Sequence, residues 1–253
     1  MTGGSHLDQG ELLHVFGAQA ELLASTVESA DQVALESFVP GCPGLTMEET
    51  ARHVGSSYRM VWHWLREGRR PNEWRRDPMG GQTLPEYVRA GSATLLAELA
   101  GHDAAEPCST WWPANQTYGF WRRRMAHETI VHRADVQGAA HLQPDPMADD
   151  VVLDGIDEVL TLWFVYRLSV LGVVGTRRHL VSVRTGGQEW LAYAGPLGTS
   201  IDPVDSEPDA VVSGSPMSVY LWLWGRVPDR LIEIDGNQDA IAQLWALLRL
   251  ATR

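Results

Sequence analysis

A glutamate and a histidine four residues apart are the side chains of this sequence best placed to do chemistry. They lie in His127-Glu128-Thr129-Ile130-Val131-His132-Arg133-Ala134-Asp135, within a segment that reads as helix from about Gly119 to Ala140. An α-helix advances 100° per residue, so Glu128 and His132 project from one face, a turn apart. A carboxylate and an imidazole so placed can share a divalent ion, or can form a plain ion pair on a solvated face. His127 is five residues from His132, roughly 140° round the helix, so this is not the H-E-x-x-H spacing of zinc proteases. A third ligand has to come from another helix, and His53 is the best-placed candidate.

The elements that must position these residues can be read from caps and breakers. A first amphipathic helix is expected from about Leu7 to Ala30, with Leu12, Val15, Phe16, Leu22, Leu23 and Val27 near helical spacing. Val39-Pro40-Gly41-Cys42-Pro43-Gly44-Leu45 is a loop, because its prolines and glycines break either periodicity. Thr46 and Glu49 form a capping box for a second helix that reaches about Glu67 and carries His53. Thr83 and Glu86 form another, with Pro85 in the first turn, opening a third helix that ends near Gly101. With the His132 helix this makes four long helices, the pattern of an up-and-down bundle over residues 1–143.

The composition changes at His141-Leu142-Gln143-Pro144-Asp145-Pro146, which we read as a linker. Residues 144–253 form a smaller α+β domain. It begins with a helix from Asp149 to Leu171, then strands Leu180–Arg184 and Glu189–Ala194 about a Gly186-Gly187 turn. A strand Ala210–Val212, a helix Met217–Trp224 capped by Ser215-Pro216, a strand Leu231–Ile234 and a helix Gln238–Leu250 complete it.

Charge and composition narrow the class. The net charge of −12 argues against nucleic acid as a partner. All 20 basic residues are arginine, which excludes lysine Schiff-base chemistry. Cys42 and Cys108 have neither zinc-knuckle nor disulfide-framework spacing and are expected to be reduced thiols. Met1–Gly10 is polar, and the apolar run Val159–Val174 is interrupted by Arg167 and too short to span a bilayer. The expectation is a cytoplasmic protein, monomeric or homodimeric, that acts on a small molecule and not on a membrane.

Several motifs together resemble one family. Val39-Pro40-Gly41-Cys42-Pro43-Gly44-Leu45-Thr46, followed by Arg52-His53-Val54, is similar to the VPxCPGWTVxDLxxHL signature of the mycothiol-dependent maleylpyruvate isomerase family, in the DinB-like bundle superfamily. Glu128 to Asp135 resembles its E-x-x-x-H-R-W-D helix, and Leu221-Trp222-Leu223-Trp224-Gly225-Arg226 its LLWGR segment. Asp209 to Ser215 also resembles its second domain. The resemblance implies a DinB-like four-helix bundle followed by an α+β domain of sterol-carrier type. It implies that His53, Glu128 and His132 bind a divalent metal, with zinc the expected ion, and that Arg226 has a catalytic role. Two family tryptophans are replaced, by Leu45 and Ala134, which alters the walls of the pocket and with them the substrate.

The implied chemistry is physically coherent. Two histidines and a carboxylate are a normal ligand set for catalytic zinc, with a position left open. A thiol there is held as thiolate at neutral pH. In the resembling isomerase that thiol is mycothiol, acting as a cosubstrate, and the same start could give isomerisation or stable S-transfer to an electrophile. Arg226 suits an electrophile that carries a carboxylate. Two alternatives stay open: a metal-dependent hydrolase of the same superfamily, and a metal- or ligand-binding protein without catalysis. His127 is expected to be a polar neighbour or a surface residue, and Arg122, Arg123, Arg124, Arg66, Arg69, Arg70, Arg75 and Arg76 to pair with carboxylates.

Overall fold

The structure, a computed structural model, describes residues 7–42, 44–201 and 207–252. It is α+β, and it divides into two compact units, Asp8–Asp145 and the part from Pro146 onwards.

In the first unit the long helices are α1 (Gln9–Glu28), α3 (Met47–Glu67), α4 (Leu84–Ala100) and α5 (Tyr118–Ala139), with a short α2 (Gln32–Glu36) between the first two. Helix α1 packs on α4 and α5, and α3 packs on the same two, which makes a four-helix bundle. Both expected capping boxes form. Glu49 N donates to Thr46 Oγ1 at 3.2 Å, and Thr46 N to Glu49 Oε2 at 2.9 Å. Thr83 and Glu86 repeat the arrangement at the start of α4. A cap of this kind contributes about 1 kcal/mol and, more usefully, fixes where a helix begins. It therefore fixes the register on which His53 sits.

Phe16, Leu23, Val54, Tyr58, Val61, Leu95, Leu99 and Ile130 are buried at the centre of the bundle. A buried hydroxyl pair, Tyr58 Oη and Thr129 Oγ1 at 2.7 Å, joins α3 to α5 one residue from Glu128. The end of α5 is tied to the chain that follows it. The fully buried Arg133 donates to Asp145 Oδ2 at 3.0 Å, and Gln137 Nε2 donates to the same oxygen at 2.7 Å.

The second unit is a five-stranded sheet in the order β3-β2-β1-β4-β5, with helices. Its strands are β1 (His179–Thr185), β2 (Gln188–Gly195), β3 (Gly198–Ile201), β4 (Ala210–Ser213) and β5 (Glu233–Gly236). Only the β1–β4 pair is parallel. Gly186 and Gly187, at φ +55° and +74°, make the two-residue turn between β1 and β2, which needs positive φ at both positions.

The expected Asp149–Leu171 helix is continuous but not uniform. It runs as α6 (Asp149–Glu158), a π-helical stretch Val159–Arg167 and α7 (Leu168–Leu171). The Thr199 hydroxyl donates to the Phe164 carbonyl in that stretch at 2.7 Å. The strand expected at Leu231–Ile234 instead begins at Glu233, since Asp229–Leu231 is a 3-10 turn. Two helices complete the unit, α8 (Pro216–Leu223) and α9 (Gln238–Ala251). No helix among the described residues is long and apolar enough to cross a membrane.

Candidate metal centre

His53, from α3, and Glu128 and His132, from α5, converge on one point. Their ligand atoms lie within 4.8 Å of one another. His53 Nε2 is 3.4 Å from Glu128 Oε1, and His132 Nε2 is 3.4 Å from the same oxygen. Those separations are long for charge-assisted hydrogen bonds of about 2.7–2.9 Å. They match the edge of a tetrahedron of ligands, about 3.3 Å for bonds of ~2.0–2.1 Å to zinc. By donor type and spacing, the three residues fit a divalent ion with N2O ligation.

The surroundings support the set. His132 Nδ1 is 2.9 Å from Asp135 Oδ2, one turn on, and the Asp135 side chain is fully buried. When Nδ1–H donates to Asp135, Nε2 is the ring nitrogen left facing Glu128, and a metal displacing its proton would find the tautomer a ligand needs. On the other side, Arg124 Nη2 donates to Glu128 Oε2 at 2.8 Å from a side chain only 3% exposed. Oε2 is thus held, and Oε1 is left facing both histidines.

Electrostatics follow from these contacts. Burial opposes the His132 imidazolium, but the Glu128 charge and the Asp135 hydrogen bond outweigh it and raise His132 to about 9. Burial likewise opposes the Glu128 carboxylate. The His132 charge first, then the nearness of His53 and the Arg124 charge, prevail and hold it well below the usual carboxylate range. The His53 side chain is about half exposed, so the centre is open on its side and closed around His132.

The other singled-out residues are distributed as follows. His127 is fully buried, which rules out the surface position and leaves the other expectation, a polar neighbour. Arg122 donates to the carbonyls of Gln9, Leu99 and His102 and not to carboxylates, because it links the starts of α1 and α5 to the end of α4. Arg124 pairs with a carboxylate as expected, but that this carboxylate is Glu128 was not foreseen, nor was the role of Asp135. The signals were present, an arginine four residues before Glu128 and a carboxylate three after His132, but neither spacing distinguishes a support from a surface pair.

Arg226 belongs to the second unit and follows α8 directly. Gly225, at φ +71°, ends the helix: its N–H reaches Trp222 O at 2.8 Å, and the Arg226 N–H reaches Leu221 O at 2.7 Å. This is a Schellman cap, which requires the left-handed conformation that glycine adopts without strain. It explains the Gly-Arg pair physically, since the cap fixes the Arg226 backbone. The side chain then curls back, with Nη1 donating to Trp224 O at 2.6 Å.

Comparison with known proteins agrees with this architecture. Residues 16–137 match the mycothiol maleylpyruvate isomerase N-terminal domain, and residues 154–243 match the C-terminal domain of the same family. No curated protein matches the chain. Two similar solved structures are a mycothiol-dependent maleylpyruvate isomerase, at 16% identity, and a histidine-to-alanine mutant of a mycothiol-dependent maleylpyruvate isomerase, at 12% identity. Each has a TM-score of 0.60, with 94% of this chain and 97% of the other covered. The chain belongs to the mycothiol-dependent maleylpyruvate isomerase family.

Proposed function

We propose that the chain is a metal-dependent thiol enzyme that uses mycothiol to isomerise a small cis-unsaturated carboxylate of the maleylpyruvate type, with His53, Glu128 and His132 as the ligands. The observation that carries this reading is the convergence of those three side chains from two helices, with Asp135 behind one ligand and Arg124 behind another. Zinc is the ion that two imidazoles and one carboxylate at this spacing favour. When bound, such an ion supplies a positive charge that keeps an incoming thiol ionised near neutral pH.

The protein's own groups do the rest. Asp135 accepts a hydrogen bond from His132 Nδ1–H and so fixes the orientation of the ring. Arg124 neutralises the outer oxygen of Glu128. The external sulfur adds to one carbon of the cis double bond, and the electron pair moves onto the neighbouring carbonyl oxygen. Rotation about the resulting single bond and return of that pair expel the thiolate and leave the trans alkene. Arg226 is assigned to a substrate carboxylate or the developing enolate, since its guanidinium is permanently charged and forked. An electrophile without a route to elimination would leave the sulfur attached, which is S-transfer.

Turnover of maleylpyruvate by the purified protein, with and without mycothiol, tests this directly. Isomerisation that requires the thiol, vanishes in Glu128→Ala and His132→Ala, and survives replacement of both Cys42 and Cys108 by Ser is expected. Turnover of an ester or amide with no thiol present would replace the reading with hydrolysis.

A further inference from the structure

A cavity of about 240 Å³ opens between α3 and α4, lined by Arg59, Trp62, His63, Arg75, Gly91 and Thr94, with Ala90 at its edge. None of these is a candidate metal ligand. The volume falls short of the ~300–1,000 Å³ typical of pockets for drug-sized ligands and suits a small molecule.

Its two arginines stand close together on one aromatic ring. Several arginines meet carboxylates, Arg89 with Glu21 and Glu28, Arg124 with Glu128 and Arg133 with Asp145, whereas Arg122 is satisfied by three carbonyls. Among the described residues, neither Arg59 nor Arg75 has a carboxylate within ion-pair distance. Yet Arg59 is only 9% exposed. It donates to two neutral carbonyls, Gly55 O at 2.7 Å and Tyr87 O at 2.9 Å, and its guanidinium carbon lies 3.7 Å from the Tyr87 ring centroid. The Arg75 guanidinium lies 5.5 Å from the centroid of the same ring.

Two cations therefore flank one aromatic ring and one cavity without a counter-ion. Burial weakens the Arg59 cation, and the like charge of Arg75 weakens it further. A guanidinium has five donors, and Arg59 uses two in these bonds. Gly91 supplies the room: a Cβ there would sit 2.5 Å from Arg59 Nη1. Two carbonyls and the Tyr87 ring satisfy Arg59 in part but do not neutralise it, so an anion seated beside both arginines would be favoured. The half-buried Trp62 is the aromatic side chain of the lining and could meet the carbon body of such an anion. Of the other polar groups, His63 Nδ1 is engaged 3.5 Å from Glu67, and the Thr94 hydroxyl donates to Ala90 O.

We propose that this cavity is a second ligand site, separate from the metal centre, for a small planar carboxylate held by Arg59 and Arg75 against Trp62. Benzoate is the probe, titrated calorimetrically into the full-length protein, with inorganic phosphate as an anion that has charge but no ring. Wild type should bind one benzoate, and phosphate at least tenfold more weakly. Arg75→Gln should weaken benzoate at least tenfold. Thr94→Trp, which fills the cavity and leaves both arginines in the sequence, should abolish binding. His53→Ala and Arg226→Gln should bind as wild type does. No benzoate binding up to about 20 mM would overturn the proposal, as would unchanged affinity in both cavity variants. Loss of binding in His53→Ala or Arg226→Gln would assign the ligand to the other site and overturn it equally. Arg75 makes no hydrogen bond to the rest of the bundle that its removal would break, so its variant is expected to fold.

Discussion

Asp135 holds His132 at 2.9 Å from the side of the ring opposite Glu128, so one imidazole is gripped by two carboxylates on successive turns of α5. The grip selects a tautomer as well as a position. Asp135→Asn keeps the size of the side chain and removes its charge, and its amide can present a donor where His132 needs an acceptor. The expected result is a fall in metal affinity of about 10–100-fold with the fold preserved. Competition with a chromogenic chelator measures it. Unchanged affinity would show that His132 does not depend on Asp135.

Glu128 and His53 should differ sharply in what they do for the fold. Glu128 is the partner of an Arg124 side chain that is 3% exposed, whereas the His53 side chain is 51% exposed. Removing one member of a buried pair costs up to about 3–5 kcal/mol, and removing Glu128 also loses its contacts with His132 and His53. In chelator-treated protein, Glu128→Ala should therefore lower stability by about 3 kcal/mol, and His53→Ala by less than ~1 kcal/mol. Urea unfolding separates the two. Equal losses would mean that Arg124 finds compensation elsewhere.

Gly225 is the position where backbone conformation controls Arg226. Its φ of +71° is one that L side chains adopt with strain, and a Cβ there would run into the Arg249 guanidinium. Arg249 itself donates to Leu223 O at the end of α8. Gly225→Ala is expected to cost about 2 kcal/mol, from left-handed strain plus displacement of Arg249. It should also reduce kcat/KM at least tenfold if Arg226 binds the substrate. A Tm within about 1 °C of wild type would refute the account of the cap.

Much of this was legible in the sequence, and the reasons are local. Capping boxes, the Gly186-Gly187 turn and the Ser215-Pro216 helix start are chemistry within four residues, and each forms where it was expected. The convergence of His53 on Glu128 and His132 was not readable from periodicity alone; the motif resemblance supplied it. What escaped is what depends on packing. Strand β3 has four half-buried residues with no alternation to mark it, and the π-helical stretch lies in an apolar run that reads simply as helix. Asp135, Arg124 and the paired arginines of the α3–α4 cavity carry ordinary spacings. Their meaning appears only when burial and partners are known.

The last prediction concerns the protein's own thiols. Burial, aided by the charge of Glu106, pushes Cys108 up to about 11. Only the thiolate attacks, so the reactivity of a thiol follows its ionised fraction. At pH 8 a group with a pKa of about 11 is roughly one part in a thousand thiolate, against about one in four for an unperturbed cysteine near 8.5. In a Cys42→Ser background, iodoacetamide should label Cys108 at pH 8 at least a hundredfold more slowly than it labels free cysteine. The rate should rise about tenfold per pH unit and level off only beyond about pH 11. Mass spectrometry of timed samples gives the profile. A thiol so raised is a poor nucleophile near neutral pH, in keeping with the proposed use of an external one. Labelling of Cys108 at the free-cysteine rate would remove that argument and make a protein thiolate the first competitor to mycothiol.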